Sequence, residues 1–157
     1  MRLHGQEAAI SRDHRKLRVF HDAHQLTLGI YKTSRHFPKE EWFGIRMQMR
    51  RAAVSVASNI VEGSARRSSR EYCNFLNISR GSAAELSYLV DLAYALEFLA
   101  KDIWTPLHAH CERVEKQLQR LLREMEGLME AEESEGRSAS RASRIRPRVP
   151  SPEPRAD

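Results

Sequence analysis

The sequence predicts an all-α fold, an up-down-up-down four-helix bundle followed by a disordered tail rich in Arg, Ser and Pro. Three observations predict it. Four stretches repeat their apolar residues at alternating steps of three and four, the period of a helix that buries one face. No stretch alternates apolar with polar residues as a strand would, and the breaks are short, which favours antiparallel packing of successive helices. From Ser134 onward apolar residues nearly vanish, so that segment lacks the surface to offset its ordering entropy.

Residues 1–16 are polar and aperiodic and read as a flexible leader, which leaves 17–133 for the bundle and 134–157 for the tail. The first helix carries Val19, Ala23, Leu26, Ile30 and Thr33 on one stripe, widened by Phe20, Thr27 and Tyr31. Phe37-Pro38 ends it, because Pro disfavours helical geometry in the residue before it. The second helix is expected to start near Glu40 or Glu41, where early acids suit the helix dipole, and to stop at Gly63. Ile45, Met49, Ala52, Val56 and Ile60 make its main stripe. Val54 and Val61 lie on another, so more than one side of this helix should be covered.

Ser68-x-x-Glu71 reads as a capping box opening a long third helix, with Tyr72, Leu76, Ser79, Ala83, Leu86, Val90, Ala93 and Leu96 in its stripe. Thr105-Pro106 resembles an N-cap followed by Pro at the first helical position. The fourth helix then repeats Leu107, Cys111, Val114, Leu118, Leu121, Met125 and Leu128, ending by about Glu133.

Composition excludes several function classes. No window reaches the roughly 18 consecutive apolar residues of a membrane span, and the N-terminus lacks the apolar run of a secretion signal, so the expected place of work is the cytoplasm. Cys73 and Cys111 form no C-x-x-C pair and read as reduced, buried residues. Bundle di-iron sites need Glu-x-x-His pairs, and there is none. His21 and His24 could share a metal only with distant carboxylates, and His108 and His110 point to different faces. No nucleophile-and-base signature occurs either. The expectation is no metal, no cofactor and no enzymatic activity.

Charge is informative in its distribution. The chain carries a formal +5, of which +3 lies in residues 134–157. Between Gly44 and Glu85 seven Arg face three Glu, so a basic patch inside the folded part is expected. Its candidate nucleic-acid-binding residues are Arg46 and Arg50, four apart on the second helix, with Arg66, Arg67 and Arg70 at the start of the third, where free backbone N–H groups also favour an anion. If the loop after Gly63 folds back, these five could line one phosphate path. A solvated basic loop offset by Glu62 and Glu71 is the other reading. No aromatic residue is interleaved with these arginines in sequence, so contacts to the backbone rather than to bases are expected.

A polar seam runs along the second helix through Arg51, Ser55, Ser58, Asn59 and Glu62. Gly81, mid-helix, should cost about 1 kcal/mol relative to Ala. Glu85 follows it on the line of Ile78 and Leu92, so a close helix approach with Glu85 paired to Arg51 is expected.

Phe37-Pro38, the run from Arg50 to Gly63 (RRAAVSVASNIVEG) and Gly81-Ser82-x-x-Glu85-Leu86 carry a resemblance to a bacterial family of four-helix-bundle proteins found in intervening sequences of large-subunit ribosomal RNA genes. The resemblance spans about residues 18 to 128. It implies a ring-like homopentamer without an established activity. A more distant similarity, to the accessory variability determinant of diversity-generating retroelements, implies a basic pentamer that binds nucleic acid, although the body here is nearly neutral. Two function classes follow: an oligomeric scaffold that binds RNA or DNA through the basic patch, or a protein-protein adaptor that binds no nucleic acid.

Overall fold

The computed structural model describes residues 13–144, and the fold is an all-α four-helix bundle: α1 (Arg18–Thr33), α2 (Ile45–Ser64), α3 (Ser69–Ala95) and α4 (Lys101–Arg144). Of the expected leader only a 3-10 turn at His14–Lys16 and its Asp13 cap are described. Helix α1 packs on α2 and α4, and α3 on the same two. Contacts fix their senses. Thr27 Oγ1 meets Ala53 O while Arg50 reaches back to Tyr31, so residue numbers rise on α1 as they fall on α2. The same inversion joins α3 to α4 through Asp91 with His108 and Cys73 with Met129. Neighbouring helices therefore run antiparallel.

The core follows the periodic stripes. Val19, Ala23, Leu26 and Ile30 of α1 meet Met49, Ala52, Val56 and Ile60 of α2, with Leu76, Ala83, Leu86 and Val90 of α3 and Cys111, Val114 and Leu118 of α4. Deleting one such Leu to Ala costs about 2–5 kcal/mol through lost transfer energy and the cavity left behind. The Phe37 ring is buried against Phe98, 5.6 Å between centroids, which pins the chain reversal before Pro38 to the α3–α4 connection.

Helix boundaries depart from the periodic reading in four places. Helix α2 begins at Ile45, after a 3-10 turn at Lys39–Glu41, because the Glu41 carboxylate folds back to accept from the Ile45 N–H at 3.1 Å. Gly63 lies inside α2 rather than ending it. It is buried, and a Cβ there would sit 2.9 Å from Phe75 Cβ, so glycine serves the close approach of α2 to α3. Helix α4 starts one turn before Thr105, at Lys101, leaving Pro106 inside it. Thr105 is no cap. Its hydroxyl bonds the Lys101 carbonyl at 2.8 Å from within the first turns. At its other end α4 continues past Glu133 to Arg144, with Arg137 bonded to Glu133 one turn before it. No proline interrupts that stretch until Pro147. Of the expected heptad line Leu128 is exposed, while Leu122, off that line, is buried beside Leu121. The tail beyond residue 144 lies outside the described residues.

Ser68 caps α3 as expected, its Oγ accepting from the Glu71 N–H at 3.4 Å. The other end of α3 closes in a Schellman motif: Phe98 N–H donates to Ala93 O at 2.9 Å and Glu97 N–H to Tyr94 O at 3.0 Å. Glu97 takes the left-handed position, φ 60°, that glycine usually holds there.

Candidate nucleic-acid interface

The turn that delays α2 puts two aromatic residues into water. With Phe37 buried and Gly44 capping the helix, Trp42 and Phe43 fall between these anchors and are 50% and 83% exposed. The outward side of α2 continues them with Met47 and Val54, and Tyr31 faces it from α1. Arginines fill the intervals. The Arg46 guanidinium lies 5.0 Å over the Trp42 ring, and that of Arg50 lies 4.7 Å over Tyr31. Together with Arg51, Ser55 and Ser58 these residues line an open groove of about 620 Å³ that contains no carboxylate.

Electrostatics there favour an anion. Burial, then the charges of Arg46 and Arg35, depress the Arg50 pKa below its ordinary value, so like charges converge without acidic residues between them. Arg50 is also a structural tie: its Nε donates to the buried Ser34 hydroxyl at 2.8 Å and its Nη2 to Tyr31 O at 3.3 Å. Arg46 and Arg51 are thus the freer cations of the groove.

The five predicted binding arginines do not form one path. Arg46 and Arg50 stand at the start of α2, whereas Arg66, Arg67 and Arg70 lie beyond its other end, about 30 Å away at 1.5 Å per residue. Arg66 pairs with Glu62 and lies over the Phe75 ring, 4.6 Å from its centroid. This end matches the reading of a basic loop offset by acids more closely than that of a phosphate site.

The polar seam is real in its middle and open at its edge. Ser55 and Ser82 hydroxyls bond across α2 and α3 at 2.8 Å, Asn59 Nδ2 donates to Ser55 O at 2.7 Å, and the buried Ser79 donates to Val56 O at 2.8 Å. Arg51 and Glu85 are both exposed on a second groove of about 370 Å³, and among the described residues no ion pair joins them. The expected buried pair is corrected by the line it was read from. Ile78 on that line is itself exposed, while the buried line is Leu76, Ala83 and Val90. Gly81 likewise makes no close approach: a Cβ there would meet nothing within 4 Å.

Sequence reasoning missed Tyr31, Trp42 and Phe43 as partners of the arginines. Starting α2 at Glu40 or Glu41 placed Trp42-Phe43 inside a helix. A Trp-Phe pair after Pro38 and directly before Gly44 was the available signal. Elsewhere Cys111 is buried and its thiol pushed up to about 12, first by that burial and then by Glu115 and Asp91, which makes it a poor nucleophile. Asp91 accepts from Trp104 Nε1 at 2.9 Å and meets His108 Nδ1 at 2.9 Å, a surface tie between α3 and α4. Among the described residues no three His, Cys, Asp or Glu side chains gather as a metal site would require, and no helix is long and apolar enough to cross a membrane.

Comparison with known proteins gives a consistent family. The family model of the 23S rRNA-intervening sequence protein matches residues 15–120. A crystal structure of a protein of unknown function from the S23 ribosomal protein family, from Bacteroides thetaiotaomicron VPI-5482, is similar in fold, with a TM-score of 0.63 at 21% identity. That similarity covers 67% of this chain and 95% of the other. No curated protein matches the chain.

Proposed function

Because the chain belongs to the 23S rRNA-intervening sequence protein family, a family whose name attaches it to ribosomal RNA genes, we propose that it is a cytoplasmic binding module for single-stranded RNA or DNA. The observation that carries this reading is the exposed Trp42-Phe43 pair interleaved with Arg46, Arg50 and Arg51. Proteins that hold single strands combine cations that track phosphates with rings on which bases stack, at about 1–3 kcal/mol per base. A duplex hides its base faces and should bind less well. The proposal adds stacking to the backbone contact expected from sequence, on the support that rings from α1 and the α1–α2 turn lie against the arginines.

With about three phosphates engaged by the groove, log affinity for a single strand should fall against log salt with a slope near −2. A titration of full-length protein with a mixed-sequence single strand and the matching duplex, between about 50 and 200 mM salt, tests it. Tighter binding of the single strand supports the reading. Absence of binding at the lower salt rejects it and leaves the protein-protein adaptor ahead.

A second reading, self-assembly into the homopentamer that the family resemblance implies, draws on the same side of α2 and would compete for Met47, Arg51 and Val54 of the groove. Val54 is 43% exposed and Met47 and Ile78 are also uncovered, and Met47 shares a groove with Arg51 and Glu85, opposite charges on facing helices. A neighbouring copy could cover this apolar strip and pair those charges. Light scattering that found only a monomer at micromolar concentration would reject it.

A further inference from the structure

At the same end of the bundle as Trp42, but on the α1–α4 side, a cavity of about 470 Å³ opens between the end of α1 and the α3–α4 connection. Its size falls within the roughly 300–1,000 Å³ of small-molecule sites. Its walls divide by chemistry. Helix α1 and the turn after it supply Lys32, Thr33 and His36, while Phe98, Leu99, Ile103 and Leu107 make an apolar wall opposite, and no acidic residue lines it. The shape comes from the Schellman turn, which sends Phe98 against Phe37 and buries Leu99.

We infer that this cavity binds an apolar monocarboxylate, its headgroup held by Lys32 and its body lying against Phe98, Leu99, Ile103 and Leu107. One ammonium matches one negative charge, whereas a phosphate dianion would want more cations than the cavity carries. His110 on the same wall is held below its ordinary pKa, first by burial and then by Arg113. A ligand body over the apolar wall removes surface from water, because Ile103 is 44% exposed.

The test is an NMR titration of the full-length, ¹⁵N-labelled protein with decanoate and, separately, with decanol, which keeps the apolar body without the charge. Decanoate should shift the amides of Lys32, Phe98, Leu99 and Ile103. Decanol, and decanoate on Lys32→Met, should bind about tenfold more weakly, the loss of one charged hydrogen bond. Ile103→Asp should abolish binding. Lys32 and Ile103 are both exposed, so an unchanged thermal melt checks that the variants fold. The inference fails if millimolar decanoate leaves those amides unmoved, if the shifts instead map to Trp42 and Phe43, or if decanol and Lys32→Met bind as tightly as the native pair. Failure of decanoate to bind at Lys32 and Ile103 leaves nucleic-acid binding untouched, because the groove at Trp42 and Phe43 is lined by other residues.

Discussion

Gly63 reads in sequence as the stop of the second helix and Gly81 as the site of a close approach, and the structure reverses the two: Gly63 makes the close approach inside α2 and Gly81 faces open space. Gly63 is buried with Phe75 Cβ 2.9 Å from where its own Cβ would be, and a Cβ is fixed to its backbone and cannot swing away. Gly63→Ala should therefore destabilise the chain by about 1–3 kcal/mol, despite the gain in helix propensity. Gly81→Ala meets open space and should stabilise it by about 0.5–1 kcal/mol. Paired thermal melts check both, and equal shifts would contradict the packing described. The same logic revises the expectation for Arg51 and Glu85. As exposed groups, Arg51→Met and Glu85→Gln should each change chain stability by under about 1 kcal/mol, where a buried pair would have cost about 3–5. Thermal melts at protein concentrations low enough to keep the chain monomeric separate the two values.

At the scale of elements, the apolar stripes were legible because burial imposes the helical period directly on the residues, as Leu76, Ala83 and Val90 show. Ends were less legible. The start of α2 depends on a Glu41 side chain reaching Ile45, and the start of α4 on Lys101 one turn ahead of a Pro that elsewhere marks the first helical position. Neither leaves a periodic trace. The α3–α4 connection shows the same limit, since nothing in its sequence marks Glu97 as left-handed. Glu97→Gly should remove that strain and raise stability by about 1 kcal/mol, and a Val there should lower it. Chemical denaturation of the two variants measures this directly. A Glu97→Gly protein no more stable than the native one would mean that Glu97 gains a compensating contact in the turn.

For the whole molecule, the fold was readable and the candidate site only in part. Arg46 and Arg50 were found through the local excess of positive charge, but their ring partners come from Tyr31 on α1 and from Trp42 and Phe43 in a turn, a juxtaposition made by tertiary packing. Arg66, Arg67 and Arg70 were grouped with them by charge alone, and the length of α2 separates them. The central claim is that rings and guanidinium groups act together on one strand. The most direct measurement is single-strand affinity against salt for the native protein, for Trp42→Ala with Phe43→Ala, and for Arg46→Gln with Arg51→Gln. Loss of the rings should weaken binding by about ten- to a hundredfold with the salt slope unchanged, since stacking releases no counterions. Loss of the two arginines should flatten the slope by about 1.4. If the ring variant binds as tightly as the native protein, or if only charge removal at Arg66, Arg67 and Arg70 changes the slope, the aromatic groove is not the nucleic-acid site.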